Sequence, residues 1–235
     1  MLIRNYFMIY LPPINENRLL NLLLINSSKS FSSNLKLVHL VESETLLEKG
    51  QQVTHSYFPT NAVISLTFES TEKMWLEIEA IRNDGMFGLP SMIDIPFSCH
   101  ATVQSSGYAY KIETSVLEEE TESSEVLKNL LRYQQLRVGK ISQISVCSRF
   151  HTVEQQYCRI LLTIMDHLYS NVIDVTHQTI ATKLNVRRES ISLCAANLQR
   201  KGIVNTLRGK VVVLNREKLE ERACECYKVI NDAKN

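Results

Sequence analysis

A chain of 235 residues, 44% of them hydrophobic, can form one large or two modest domains, each with its own core. The formal net charge of +1 excludes a molecule that works as a bulk polycation. The six cysteines (Cys99, Cys147, Cys158, Cys194, Cys224 and Cys226) show no paired extracellular framework, which points to reduced thiols in a cytoplasm.

The opening MLIRNYFMIYL is apolar but too short to span a bilayer, and no membrane association is expected. It lacks a small-residue cleavage site and runs into Pro12-Pro13, so it reads as a packed arm and not a signal peptide. Leucines at 19, 20, 22 and 23 make Ile14–Leu24 a short amphipathic helix, and the Ser-rich run Ser27–Ser33 reads as a loosening of the chain. From about Leu35 to Ile112 short strands are expected. Met74, Leu76, Ile78 and Ala80 alternate with Lys73, Trp75, Glu77 and Glu79. Ala62–Phe68 is a second strand, with Ser70–Glu72 as the turn between them. Gly and Pro punctuate the segment every ten residues or so, as in a barrel or sandwich.

Helix formers return at Ser115, break at Thr121–Ser124, and resume in a long helix from about Ser124 to Phe150. Its stripe of Leu127, Leu131, Val138, Ile141 and Ile144 suits pairing with a second copy of the chain; the plainer alternative is packing on its own barrel. His151–Tyr169 is a further amphipathic helix. His151-x-x-Glu154 within it resembles part of a metalloprotease motif, but no second His follows at helical spacing. It reads as a solvated helix start.

The most informative stretch is Thr176–Gly202, THQTIATKLNVRRESISLCAANLQRKG. Ile180, Leu184, Val186, Ile191 and Cys194 are spaced to bury one side of each of two short helices. Ala181 is small where the helices meet, Thr176 is placed to cap the first, and Asn185 sits at the bend. Gly202 stands just past the end of the second. Arg187, Arg188, Glu189 and Ser192 are polar positions near the start of the second helix, where a helix entering the DNA major groove carries its base-reading residues. From His151 to Leu214 the net charge is +4. Ile203–Thr206 and Val211–Leu214 form a hairpin wing with a basic tip, and Asn215 is placed to cap a closing helix to about Tyr227 before Asn231–Asn235 frays. Cys224-x-Cys226 can bind metal or act in redox chemistry, but no second pair accompanies it and a plain packing role is expected.

Barrel, long helix and winged helix-turn-helix, in that order, resemble the Crp/Fnr family of bacterial transcription regulators. The segments that carry the resemblance are EKGQQVTHSYFPTNAVISL (48–66), RNDGMFGLP (82–90), RFHTVEQQYCRILLTIMDHL (149–168) and the run from LNVRRESIS to ACECY (184–227). They look like a branch with a VRR recognition turn and an ACECY tail. The resemblance implies an α+β protein with an N-terminal arm and helix (1–34) and a cyclic-nucleotide-binding-like sensor barrel, or jelly roll, at 35–120. A dimerisation helix (121–150) and a winged helix-turn-helix (151–235) follow. It further implies a homodimer on near-palindromic double-stranded DNA, with RNA polymerase as a partner. Arg188, Glu189 and Ser192 fall where family members touch bases; Lys183, Arg187, Lys201, Arg208 and Lys210 suit phosphates. Leu193 stands where some members carry another Arg.

The family's cyclic-nucleotide pocket uses a Gly-Glu-x-Gly turn and a downstream Arg. Here the turn is Gly85-Met86-Phe87-Gly88, Cys99 and His100 occupy the Arg region, and no Lys or Arg occurs between Gly85 and Lys111. A phosphate held there without a cation faces a desolvation cost of several kcal/mol. A degenerate effector pocket is therefore expected, with no cyclic nucleotide, no metal and no other identifiable cofactor. Met86, Phe87, Met92, Ile93, Ile95 and Phe97 read as barrel core and loop before an apolar ligand site. No nucleophile elbow or P-loop suggests an enzyme. The competing class is a protein-interaction module whose winged domain docks a protein instead of DNA. Cations on both the second helix and the wing favour DNA.

Overall fold

The computed structural model describes residues 12–69, 71, 75–89, 95–168 and 170–232. The N-terminal arm, Ser70 and Glu72 of the expected turn, Lys73, Met74, Met92, Ile93, Tyr169 and the last three residues lie outside the described residues. Contacts divide the chain into two units, one of residues up to 67 together with 79–133, the other of 68–78 together with 134–235.

In the first unit a 3-10 turn at Ile14–Glu16 leads into α1 (Arg18–Asn26). The Asn17 side chain is fully buried and all its reach is used. Its carbonyl oxygen accepts from Leu20 N–H at 2.8 Å, capping α1, while its amide donates to the carbonyls of Pro59 and Gly85, each at 2.8 Å. The Ser-rich run is a helix and not a loosened segment. Ser28 accepts from Phe31 N–H and caps α2 (Lys29–Asn34), because a serine that can satisfy a free helical N–H starts a helix as readily as it ends one. In chain order, strands β1 (Lys36–Leu40), β2 (Thr45–Leu47), β3 (His55–Pro59), β4 (Val63–Glu69), β5 (Trp75–Ile81), β6 (His100–Ser105) and β7 (Gly107–Glu113) follow, the end of β4 and most of β5 being counted with the second unit. They form two sheets, ordered β1-β7-β3 and β2-β6-β4-β5, the jelly-roll-like arrangement expected. The clean alternation read in β5 is not realised: Leu76 is exposed and Glu79 is buried. Helix α3 (Thr114–Glu120) and the first turns of α4 (Ser124–Phe150) close this unit. Leu20 and Leu23 of α1, Phe31 of α2, Leu117 of α3 and Val126 and Leu130 of α4 share one core with Phe58, Met86 and Ile112.

In the second unit α5 (Val153–Leu168) opens on a capping box. Gln155 N–H donates to the Thr152 hydroxyl, and the Gln155 side-chain Oε1 accepts from Thr152 N–H at 2.9 Å. Next come β8 (Val172–Asp174), α6 (His177–Leu184), α7 (Arg188–Arg200), β9 (Val204–Leu207), β10 (Lys210–Val213), α8 (Arg216–Arg222) and α9 (Cys226–Asp232). Tyr157 and Leu161 of α5, Ile180 of α6, Ile191 and Leu198 of α7 and Val211 of β10 are buried in one cluster. Glu154 of α5 ties two more helices to it, accepting from Asn197 at 2.5 Å and pairing with Arg222 at 3.0 Å.

Two readings of this half are corrected. The wing sheet has a third strand, in the order β8-β10-β9, because three residues around buried Ile173 are enough to pair with Val211. The closing helix is two helices. Asn215 does cap α8, accepting from Lys218 N–H at 2.9 Å, but α8 ends at Arg222. Cys224 and Cys226 are both buried, and residues two apart cannot share one face of a continuous helix, so the chain turns between them.

Asn17→Ala is expected to lower stability by about 2–4 kcal/mol, through the lost cap and two orphaned buried carbonyls. Urea denaturation checks this, with exposed Leu22→Ala as a control shifting stability by no more than about 0.5 kcal/mol.

Candidate nucleic-acid interface

Helices α6 and α7 take their relative angle from one turn. The Thr176 hydroxyl caps α6 by accepting from Thr179 N–H at 3.0 Å. At the other end Asn185 adopts the left-handed conformation, φ 51° and ψ 48°. Its N–H then reaches the Thr182 carbonyl, and Val186 N–H reaches Ala181 at 3.0 Å, a Schellman closure. Helix α7 ends the same way. Gly202, at φ +66°, donates to Gln199, and Ile203 donates to Leu198. Ala181 is fully buried in the cluster that also holds Ile180 and Ile191.

Arg187 is the N-cap of α7 and its side chain makes no capping bond. The first amides of α7 are therefore without a side-chain cap, at the positive end of the helix dipole. Arg188 and Glu189 are exposed on the first turn. With Ser192 and Leu193 they line a shallow surface concavity of about 450 Å³. Leu193 is 73% exposed. Among the described residues Arg187, Arg188, Lys201 and Arg208 make no ion pair, so their charge is uncompensated. Arg208 stands at the wing tip beside Gly209, whose φ of +74° makes the reversal from β9 to β10.

Three predicted contacts are engaged within the protein. The Ser192 hydroxyl sits 3.1 Å from His177 Nδ1 and 3.2 Å from the Arg188 carbonyl, so base reading by Ser192 competes with these bonds. Lys210 pairs with Asp174 at 3.0 Å; both side chains are at least half exposed, and such a pair yields easily to a phosphate. Lys183 is held by Glu77, whose carboxylate is largely buried. Freeing that lysine would break a pair made with a largely buried carboxylate, which makes it the weakest of the phosphate contacts read from the sequence.

The expected effector turn is built into the first unit's core. Gly85, Met86, Phe87 and Gly88 are all buried. The Tyr133 hydroxyl of α4 accepts from Met86 N–H at 3.0 Å and donates to the Met86 carbonyl at 2.9 Å. Phe87 exchanges two backbone bonds with Tyr57, Gly85 N–H donates to Arg82, and Asn17 and Ser56 donate to the carbonyls of Gly85 and Gly88. The amides of residues 85–87 thus have protein partners. A Cβ at Gly85 would stand 2.5 Å from the Tyr133 hydroxyl, so this glycine serves close packing. Met86 joins the helical core, and Phe87 stacks on Tyr57 and makes a T-shaped contact with Phe97, at centroid distances of 6.0 and 5.4 Å. Cys99 is buried, and His100 opens β6 in the other sheet, paired with Thr67. Ile95 is exposed.

The sequence offered Cys224-x-Cys226 no second pair; the fold supplies one. Cys147 and His151 bring their ligand atoms within 4.8 Å of those of Cys224 and Cys226. His151 is accordingly not the solvated helix start it was read as. The only hint in the sequence is its four-residue spacing from Cys147.

Residues 155–222 match the Crp-like helix-turn-helix domain. The matched segment carries α6, α7 and the wing. No curated protein matches the chain. Over 81–85% of its length the chain has the Crp/Fnr-like fold. It is similar to the FixK2 protein of Bradyrhizobium japonicum, with 14% identity, a TM-score of 0.72, and 81% of this chain and 98% of that one covered. It is also similar to a Crp/Fnr-family transcriptional regulator from Eubacterium rectale, at 18% identity and a TM-score of 0.68, covering 85% and 96%. A CRP-family regulator from Thermus thermophilus matches at 19% identity and a TM-score of 0.67, covering 79% and 96%.

Within the Crp-like domain, His177 Nε2 is buried and has no hydrogen-bond partner among the described residues. Burial, and then the charge of Arg188, push its pKa below the ordinary 6.5. The unfolded chain therefore takes up this proton first. Stability should fall as pH drops through about 6.5, and the loss should stop growing below the folded-state pKa. Thermal unfolding of the wild type and His177→Gln between roughly pH 5 and 7.5 checks this, the variant losing less stability on acidification.

Proposed function

We propose that the chain is a sequence-specific, DNA-binding transcription regulator of Crp/Fnr type, acting in the cytoplasm as a homodimer on near-palindromic operators. The observation that carries the reading is the exposed Arg188 and Glu189 at the uncapped start of α7 in a Crp-like domain. Arg188 reaches a guanine edge and Glu189 accepts from a cytosine amine. Exposed Leu193 suits a thymine methyl, and Ser192 contributes where His177 gives up its hydroxyl. Arg187, Lys201 and Arg208 take phosphates, joined by Lys210 once Asp174 releases it. The protein partner at the promoter is RNA polymerase.

Two reading helices on one face of a duplex stand about 34 Å apart, which a pair of chains provides. Helix α4 supports the pairing. Leu131 and Val138 are 59% and 58% exposed on one face, with Leu127 and Ile141 half-buried beside them. Ile144 is not part of that seam, since it packs on the cysteine cluster. The effector turn is not a cyclic-nucleotide site, because Tyr133, Arg82 and Tyr57 already engage the amides a phosphate would need.

The test is genome-wide mapping of bound sites followed by titration of the resulting motif. Arg188→Ala should cost about 1–3 kcal/mol and relax preference at one base pair, whereas Lys210→Ala should weaken all sequences alike and lower the salt slope by about one. Equal, sequence-blind losses from both would overturn the assignment. In sedimentation the wild type should run as a dimer, and the double change Leu131→Glu with Val138→Glu as a monomer without operator binding. A wild type that sediments as a monomer would remove the dimer from the reading.

A further inference from the structure

We propose that Cys147, His151, Cys224 and Cys226 form a closed tetrahedral site for one thiophilic divalent cation of the zinc class. The site does not depend on the DNA-binding reading. Cys147 and His151 lie one turn apart on the end of α4, four residues being the spacing that brings two ligands to the same helix face. Cys224 lies in the break between α8 and α9, and Cys226 opens α9.

The four ligand atoms lie within 4.8 Å of one another. Cys147 Sγ is 3.4 Å from Cys224 Sγ, and Cys226 Sγ is 3.5 Å from His151 Nδ1. Ligands about 2.3 Å (sulfur) and 2.0 Å (nitrogen) from a tetrahedral ion stand roughly 3.5–3.8 Å apart, so the side chains are already spaced for one ion. A multi-iron cluster needs its sulfurs farther apart than this. Three thiolates and one imidazole select zinc over hard cations, and four protein ligands leave no open position, as in a structural site.

The surroundings fit the same assignment. His151 Nε2 lies 3.1 Å from the Glu225 carboxylate, a contact that keeps the proton on Nε2 and turns the Nδ1 lone pair toward the sulfurs. This carboxylate–histidine pairing is the usual support for a metal-bound imidazole. Gln143 Nε2 donates to Cys226 Sγ at 3.0 Å, an outer hydrogen bond of the kind that orients a metal-bound sulfur. Arg159 is only 6% exposed, has an unpartnered Nε, makes no ion pair among the described residues, and bears on Cys147. Three thiolates with a dication carry one negative charge, and this guanidinium cancels it. Without an anionic centre beside it a buried arginine has no compensation. Ile144 and Ile230 pack around the group and shield it from water. Metal binding would staple the end of α4 to the segment after α8, closing a loop of more than seventy residues.

The test is cobalt(II) titration of the full chain, reduced and stripped with chelator, with zinc measured by mass spectrometry on protein purified without chelator. The expected result is about one equivalent per chain, with the ligand-field absorption of tetrahedral cobalt, a thiolate-to-cobalt charge-transfer band, and proton release on binding. Cys147→Ser and Cys226→Ser should abolish these bands, while Cys194→Ser should keep them. Glu225→Gln should weaken affinity roughly 10–100-fold. Because the ligand variants could fail to fold, circular dichroism accompanies each. In the wild type, bound zinc should also protect Cys147, Cys224 and Cys226 from alkylation. A folded wild type that takes up no cobalt overturns the proposal. So does cobalt uptake unchanged in folded Cys147→Ser, recovery of iron with labile sulfide, or a Cys147–Cys224 disulfide as the resting state under reduction.

Discussion

Where Arg188 points depends on a single backbone reversal. The amide of Val186 must reach the carbonyl of Ala181, and it can do so only if Asn185 turns left-handed. That closure sets the angle between α6 and α7, and the angle decides whether Ile180 and Ile191 can share a core while the first turn of α7 faces outward. Asparagine bears this conformation at lower cost than any other residue with a side chain, save aspartate, so the bend needs no glycine. The rest of the second unit braces the result: Glu154 holds α7 through Asn197 and α8 through Arg222, and the Asp166 carboxylate joins Arg216 and Tyr227 at 2.8 and 2.7 Å.

The parts of this domain that could be read from the chain are those in which one residue type answers one local demand. Thr176 before a helical run, Asn185 at a bend, Gly202 past a terminus and Asn215 ahead of α8 each satisfy backbone groups within four residues of themselves. Apolar spacing at 180, 184, 191 and 194 did the same for the packed faces. The jelly-roll-like sheets were legible from their turn residues, though strand faces were less so, as exposed Leu76 and buried Glu79 demonstrate.

What escaped the sequence depends on partners far away along the chain. Asn17 looks like any polar residue ahead of a helix until its amide is seen on the carbonyls of Pro59 and Gly85. Nothing near Ser192 announces that His177 will claim its hydroxyl, nor does anything near Lys183 announce Glu77. β8 is too short to leave a periodic trace and owes its pairing to β10. The cysteine–histidine group is the extreme case. Its two halves are 77 residues apart, and each alone is an ordinary spacing.

Tyr133 has one further implication. Its phenol grips both polar groups of Met86, and it is rooted in α4. A guest seeking that amide would have to evict the phenol, and eviction would loosen a side chain anchored in a 27-residue helix. The phenol thus ties the Gly85–Gly88 turn to α4, so any displacement of that turn is felt in the helix.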